Sequence, residues 1–122
     1  ITDGGLINFK YCRNLAHLDL GETEVTDVGL AHFQDCKTFE TIWLPRTQVS
    51  DEGLVFFKDC KSLAHLNVVQ TAVGDAGLAH FQDCKNFVSI LLSGTKVTDA
   101  GLGTSGFETT TLSPSITASA HL

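Results

Sequence analysis

The feature that most constrains this chain is a period. Cys12, Cys36, Cys60 and Cys84 are its whole complement of cysteine, and each stands 24 positions after the last. The same step joins Asp3, Asp27, Asp51, Asp75 and Asp99, then Gly5, Gly29, Gly53, Gly77 and Gly101, then Leu6, Leu30, Leu54, Leu78 and Leu102. Phe9, Phe33, Phe57 and Phe81 keep it, and so do Thr23, Thr47, Thr71 and Thr95, each followed two places on by a valine. A chain that returns its apolar, small and capping residues at a fixed interval of this size builds a stack of like units, each burying its apolar face against the next.

Each unit has two halves with different apolar rhythms. Leu18 and Leu20 stand two apart around a variable position, as do Ile42 and Leu44, Leu66 and Val68, and Ile90 and Leu92. Alternation predicts short parallel strands near 17–21, 41–45, 65–69 and 89–93. The other half reads as helix: Leu30, Phe33 and Cys36 fall at helical spacing, with Thr26 or Asp27 as N-cap and Lys37 at the C-terminal end, where a cation suits the helix dipole. The repeated glycine is expected to clear space between adjacent helices, at a cost of up to ~1 kcal/mol against alanine. The repeated threonine is expected to bond backbone groups in the turn after each strand and to stitch neighbouring units together.

On these residues the chain resembles the leucine-rich-repeat family. The motif Leu-x-x-Leu-x-Leu-x-x-(Asn, Cys or Thr)-x-Leu is matched by Leu15 to Val25 and by its three later copies. The helix-side cysteine and the Thr-Asp-x-Gly-Leu opening are similar to the cysteine-containing subclass found in F-box proteins and bacterial arrays. The resemblance covers residues 1–102, four full 24-residue repeats and the start of a fifth. It implies an α/β solenoid, with short parallel strands on a concave face, helices on a convex one, and ligands held by the concave face. After Leu102 the series lapses into Gly103, Thr104 and Ser105, and a Ser/Thr-rich tail runs over 103–122. Pro114 falls where a strand leucine should be and cannot donate to a sheet ladder, so the tail is expected to be irregular. The chain opens at Ile1 in mid-repeat, and we expect it to be a piece of a longer array.

Charge narrows the partners. Fourteen acids against eight bases give a formal charge of −6, the wrong sign for neutralising phosphates or resting on anionic lipid, so neither nucleic acid nor membrane is expected as a partner. No apolar run approaches the ~18 residues of a membrane span, and the amino end has no signal-peptide pattern.

Chemical readings of single residues are weak by comparison. The cysteines are too far apart in sequence for the paired spacing of zinc sites. Helices packed side by side at about 8–10 Å would also hold equivalent cysteines beyond disulfide reach. A column of buried free thiols is therefore expected, which suits a reducing, cytoplasmic setting. Gly101-Leu102-Gly103-Thr104-Ser105-Gly106 spells a dinucleotide fingerprint, yet its first two residues belong to the repeat and no suitable strand precedes it. His32 and His80 occupy a helix position also held by Asn8 and Phe56, which points to solvated surface variation. His17 and His65 are two strands apart, roughly 10 Å, too far for one metal. No catalytic set, cofactor site or metal site is expected.

What remains is a variable face on a fixed frame. Alternation turns His17, Asp19 and Glu22 outward, then Thr41, Trp43 and Arg46, then His65, Asn67 and Gln70, with Leu91 in the last unit. An outward tryptophan three residues from an arginine has the composition of a binding hot spot. The array therefore reads as a protein-binding module, alternatively as a structural spacer whose faces hold nothing. Four short strands offer only a few hundred Å², below the ~800 Å² per partner of a standard interface, so this stretch alone should bind weakly. Both ends of the stack are open in the sequence, and end-to-end self-association is expected.

Overall fold

The computed structural model describes residues 1–98. The tail over 103–122 and the glycine string at 101–106 lie outside the described residues. Among the described residues four strands, β1 (His17–Asp19), β2 (Thr41–Trp43), β3 (His65–Asn67) and β4 (Ser89–Leu91), form one sheet in sequence order, all parallel. The register is the sequence period itself: His17 pairs with Thr41, Thr41 with His65 and His65 with Ser89.

The strands begin where alternation places them and end two residues early. Leu20 and Glu22 still donate to the Trp43 and Pro45 carbonyls, at 2.9 and 2.8 Å, but the chain has begun to turn. The turn closes on a residue with positive φ in every unit: Glu22 (60°), Arg46 (56°), Gln70 (54°) and Gly94 (72°). Extended backbone cannot run through that left-handed geometry.

The expected single helix is also shorter, and it changes type partway. α1 (Asp27–Leu30) tightens into a 3-10 turn at Ala31–Phe33, and α2 (Asp51–Leu54) into one at Val55–Phe57. α3 spans Asp75–Ala79, and the first unit has only a 3-10 segment, Asp3–Phe9. A 3-10 turn rises about 2.0 Å per residue against 1.5 Å for the α-helix, so it crosses the unit with fewer residues. The chain then turns so that Cys36 N–H bonds the Phe33 carbonyl at 2.9 Å.

Between sheet and helical rows lies one continuous apolar column in which Leu30, Phe33, Phe39, Ile42, Leu44 and most of their equivalents are buried, while Leu15 and Phe87 are half-buried and Phe9 is exposed. Phe39 meets Phe33 edge to face at 5.8 Å and Phe57 at 5.7 Å, so aromatic packing runs from unit to unit. Cys36, Cys60 and Cys84 are buried free thiols in this column, whereas Cys12 is exposed, a correction to the expected four. The cause is local. Cys60 Sγ donates to the Cys36 carbonyl (3.5 Å) and Cys84 Sγ to the Cys60 carbonyl (3.4 Å), each leaning on the unit before it, while Cys12 lies in the first unit of the described stack.

The threonines do not stitch units together. Thr23, Thr47, Thr71 and Thr95 each donate to the carbonyl three residues back, at 2.6 to 2.8 Å, closing the turn of their own unit. Stitching falls to the aspartates. Asp3 accepts from Thr26 N–H (2.8 Å), Asp27 from Ser50 N–H (2.7 Å), Asp51 from Gly74 N–H (2.6 Å) and Asp75 from Thr98 N–H (2.7 Å). Ser50 Oγ also donates to Asp27. Thr26 is thus the N-cap of α1, its hydroxyl accepting from Val28 N–H, and Asp27 serves the next unit.

The same carboxylates explain three of the repeated glycines. A Cβ on Gly53 would stand 2.2 Å from Asp27 Oδ1 and 3.0 Å from Leu30 Cδ1, and Gly29 and Gly77 are closed off in the same way, whereas a Cβ on Gly5 would meet nothing within 4 Å. Clearance between neighbouring helical segments is what the glycine supplies, as expected, and the group being cleared is the linking aspartate.

Candidate protein-binding face

Side chains that alternate away from the apolar column share the outer face of the sheet. The column along β1 to β4 reads Asp19, Trp43, Asn67 and Leu91, and the column beside it reads His17, Thr41, His65 and Ser89. Inward residues between them, Leu18, Ile42, Leu66 and Ile90, are all large, aliphatic and buried. Packing therefore fixes one side of each strand and leaves the other free to differ. Strands repeat at about 4.8 Å whereas helical segments need more room, so a stack of such units curls with its sheet inside, and this face lines the concave side.

Accessibility within the face is uneven. Asp19 and His17 are exposed at the first strand, and Thr41, Trp43, His65 and Leu91 are half-buried. Asn67 is buried, at 5% exposure, flanked in register by Trp43 and Leu91, and its Oδ1 accepts from Val69 N–H at 3.0 Å. It closes a turn as Asp19 does, whose Oδ1 accepts from Gly21 N–H at 3.0 Å, and it offers a partner almost no surface. Asn67 is thus a correction to the outward set. His65 Nδ1 lies 3.0 Å from Ser89 Oγ, and His17 pairs in register with Thr41, which in turn pairs with His65.

Along the rim, the left-handed turn positions form a second ladder. Arg46 Nη1 donates to Glu22 Oε1 (3.1 Å) and Arg46 Nε donates to Gln70 Oε1 (2.9 Å), so one guanidinium spans three units. Both ends of the Glu22–Arg46 ion pair are more than half exposed, and such a pair contributes at most about 1 kcal/mol. Its effect is to hold the guanidinium in place beside the half-buried Trp43 strand. The outward placement of Glu22, Arg46 and Gln70 is legible from alternation. Their left-handed backbone is not, because only Gly94 among the four equivalents carries the residue type that signals it.

His32 and His80 are half-buried rather than solvated. Among the described residues no group of three or more His, Cys, Asp or Glu side chains is placed to hold a metal ion. Among the same residues no helix is long and apolar enough to cross a membrane. Burial pushes the Cys60 thiol up to about 11, and it raises Cys84 as well, so neither has the thiolate character of a nucleophile.

The aspartate links are the site-positioning residues that sequence reasoning missed. Their 24-residue recurrence is visible, and so is the hydroxyl at Thr26, Ser50 and Thr98 that donates to them, but the group bound at all four junctions is a backbone amide, and Gly74 offers that alone. A family model described as the BspA type leucine rich repeat region matches residues 6–121, in six copies. No curated protein matches the chain.

Proposed function

The chain belongs to the BspA-type leucine-rich-repeat family, whose repeats generally mediate protein–protein interaction and are generally not enzymes, and from that premise we propose that it binds another protein through the concave face around Trp43. The observation that carries the reading is the contrast between the buried, repeating Leu18, Ile42, Leu66 and Ile90 and the variable column between them, Asp19, Trp43, Asn67 and Leu91. Trp43 gives an apolar anchor, Arg46 an oriented donor, and His17, Asp19, Glu22, Thr41, His65, Gln70 and Leu91 a mixed rim. Anchors of this kind dominate interface energetics, whereas the polar surround mostly excludes water.

Crosslinking capture from cells that make the protein, comparing wild type with a Trp43→Ala, Arg46→Glu variant of matching circular dichroism, tests it. A protein retained by wild type and weakened about 30-fold by the substitutions, the ~2 kcal/mol of a hot spot, is the expected result. Equal retention by both removes the face from consideration.

The spacer reading has one observation in its favour. Asn67 is buried and the Arg46 guanidinium is already engaged by Glu22 and Gln70, so part of the face's bonding capacity is spent internally. Each strand is three residues, about 10 Å, which keeps the contact area of this stretch small. Binding of low affinity, strengthened by adjoining repeats, agrees with that geometry. The three buried free thiols suit a reducing compartment.

A further inference from the structure

Charge on the concave side is sorted by unit. Four positions of each unit lie on the outer face of the strand or on its rim: 17, 19, 22 and 24 in the β1 unit, and the same places in the three units that follow. In the β1 unit they hold Asp19, Glu22 and Glu24, three acids and no Lys or Arg. In the other three units the same places hold Arg46 and Lys96 and no acid at all. Glu22 and Arg46 offset each other across 3.1 Å. The uncompensated charges therefore stand apart, Asp19 and Glu24 in the β1 unit and Lys96 in the β4 unit. Glu24 and Lys96 are exposed, and among the described residues neither has an ion-pair partner. Asp19 spends Oδ1 on the Gly21 amide and keeps its other oxygen. Between β1 and β4 the described face offers one large apolar surface, Trp43, since Asn67 is buried. Three strand spacings separate β1 from β4, about 14 Å, and an extended chain advances about 3.4 Å per residue, so it crosses in about four residues. Its side chains at i, i+2 and i+4 face the same way.

We propose that the face takes an extended segment of its partner, laid across the strands with its charges in a fixed order. A basic side chain sits over the β1 unit against Asp19 and Glu24, an apolar one two residues away meets Trp43, and an acidic one four residues away meets Lys96. The middle side chain stands about 7 Å from the first, between the strands of Trp43 and Asn67, where the indole is the surface available to it. A segment laid the other way would set its base on Lys96 and its acid on Asp19 and Glu24, and such like-charge contacts reject it. The inference rests on the concave-face reading and adds the chemistry and the orientation of what is bound there.

Selection of a random peptide display library on the full chain, followed by fluorescence anisotropy of the enriched peptides, tests the proposal. Those peptides are expected to share a base and an acid four residues apart with an apolar residue midway. The exchange variant Glu24→Lys, Lys96→Glu keeps the formal charge of −6 and removes no side-chain bond, so its circular dichroism stays that of wild type. It should bind the leading peptide at least about tenfold more weakly than wild type, and bind the same peptide with base and acid exchanged at least about tenfold more tightly. Trp43→Ala should weaken binding of the leading peptide. Peptides that lack the spaced base and acid, or that bind wild type and the exchange variant alike, overturn the charge order; if they still depend on Trp43, the concave-face reading stands. Peptides indifferent to Trp43→Ala overturn both. An empty selection means that the face takes no linear segment and overturns this proposal alone, because capture of a folded partner tests the face separately.

Discussion

The Asp27 carboxylate is held from two directions: Ser50 supplies both its N–H and its hydroxyl to it, and Gly53 leaves room for it by having no side chain. Helix propensity alone would have Gly53→Ala stabilise α2 by up to about 1 kcal/mol. Steric overlap with Asp27 Oδ1 at 2.2 Å reverses the sign, and we expect a net loss of about 1–3 kcal/mol in urea unfolding. Asp27→Ala strands the Ser50 amide and should cost about 1–3 kcal/mol by itself. It also removes the atom that the new methyl strikes. The double variant should therefore be more stable than the sum of the two losses predicts, by at least about 0.5 kcal/mol, as contacting residues usually couple. Strict additivity in that cycle would mean that Leu30 or the backbone, and not the carboxylate, sets the requirement for glycine.

At the scale of elements, the cysteine column and the turn ladder behave differently. Cys36, Cys60 and Cys84 are buried and Cys12 is exposed, so a thiol reagent should label one cysteine at once and three only as the chain unfolds, read by mass spectrometry of digests. Rapid labelling of Cys60 in the native state would contradict the packing. Burial raises the Cys60 pKa to about 11, from an unfolded value near 8.5–9. The folded state binds this proton more tightly, so the stability contribution is complete below the unfolded value and is lost as pH rises toward 11. The urea midpoint should fall between pH 9 and 11, and fall less in Cys60→Ala. How much of these elements was readable depends on what fixes each boundary. Strand starts at His17, Thr41, His65 and Ser89 follow from alternating burial, a property of side-chain type. Strand ends depend on left-handed backbone at Glu22, Arg46 and Gln70, residue types that carry no such signal. The shift from α to 3-10 at Ala31 and Val55 answers to the length of the unit, which no local pattern encodes. On the concave face, alternation gives the direction of Asn67, but its burial depends on its neighbours in register, Trp43 and Leu91, which are 24 residues away in either direction.

For the molecule as a whole, each unit touches its neighbours and little else, so stability is close to a sum over units and junctions. Middle units have two junctions. Amides of β2 and β3 should exchange with solvent more slowly than those of the first 3-10 segment, Asp3–Phe9, and hydrogen exchange resolved by residue would show it. Leu54→Ala, at a fully buried position of α2, should cost about 2–5 kcal/mol. The carboxylate links carry one more consequence, for how such a chain can change in length. An aspartate that serves the amide 23 residues on is indifferent to which unit supplies that amide, provided the count holds. Removing residues 50–73 would set Asp27 opposite the Gly74 amide, with Gly77 beneath it, and the amide-to-carboxylate bond and the glycine clearance would both be restored across the seam. Removing any other number would leave a carboxylate facing the wrong atom. The array can thus be lengthened or shortened by copying whole units in its gene, and the chemistry of each junction acts as the reading frame that decides which of those copies fold.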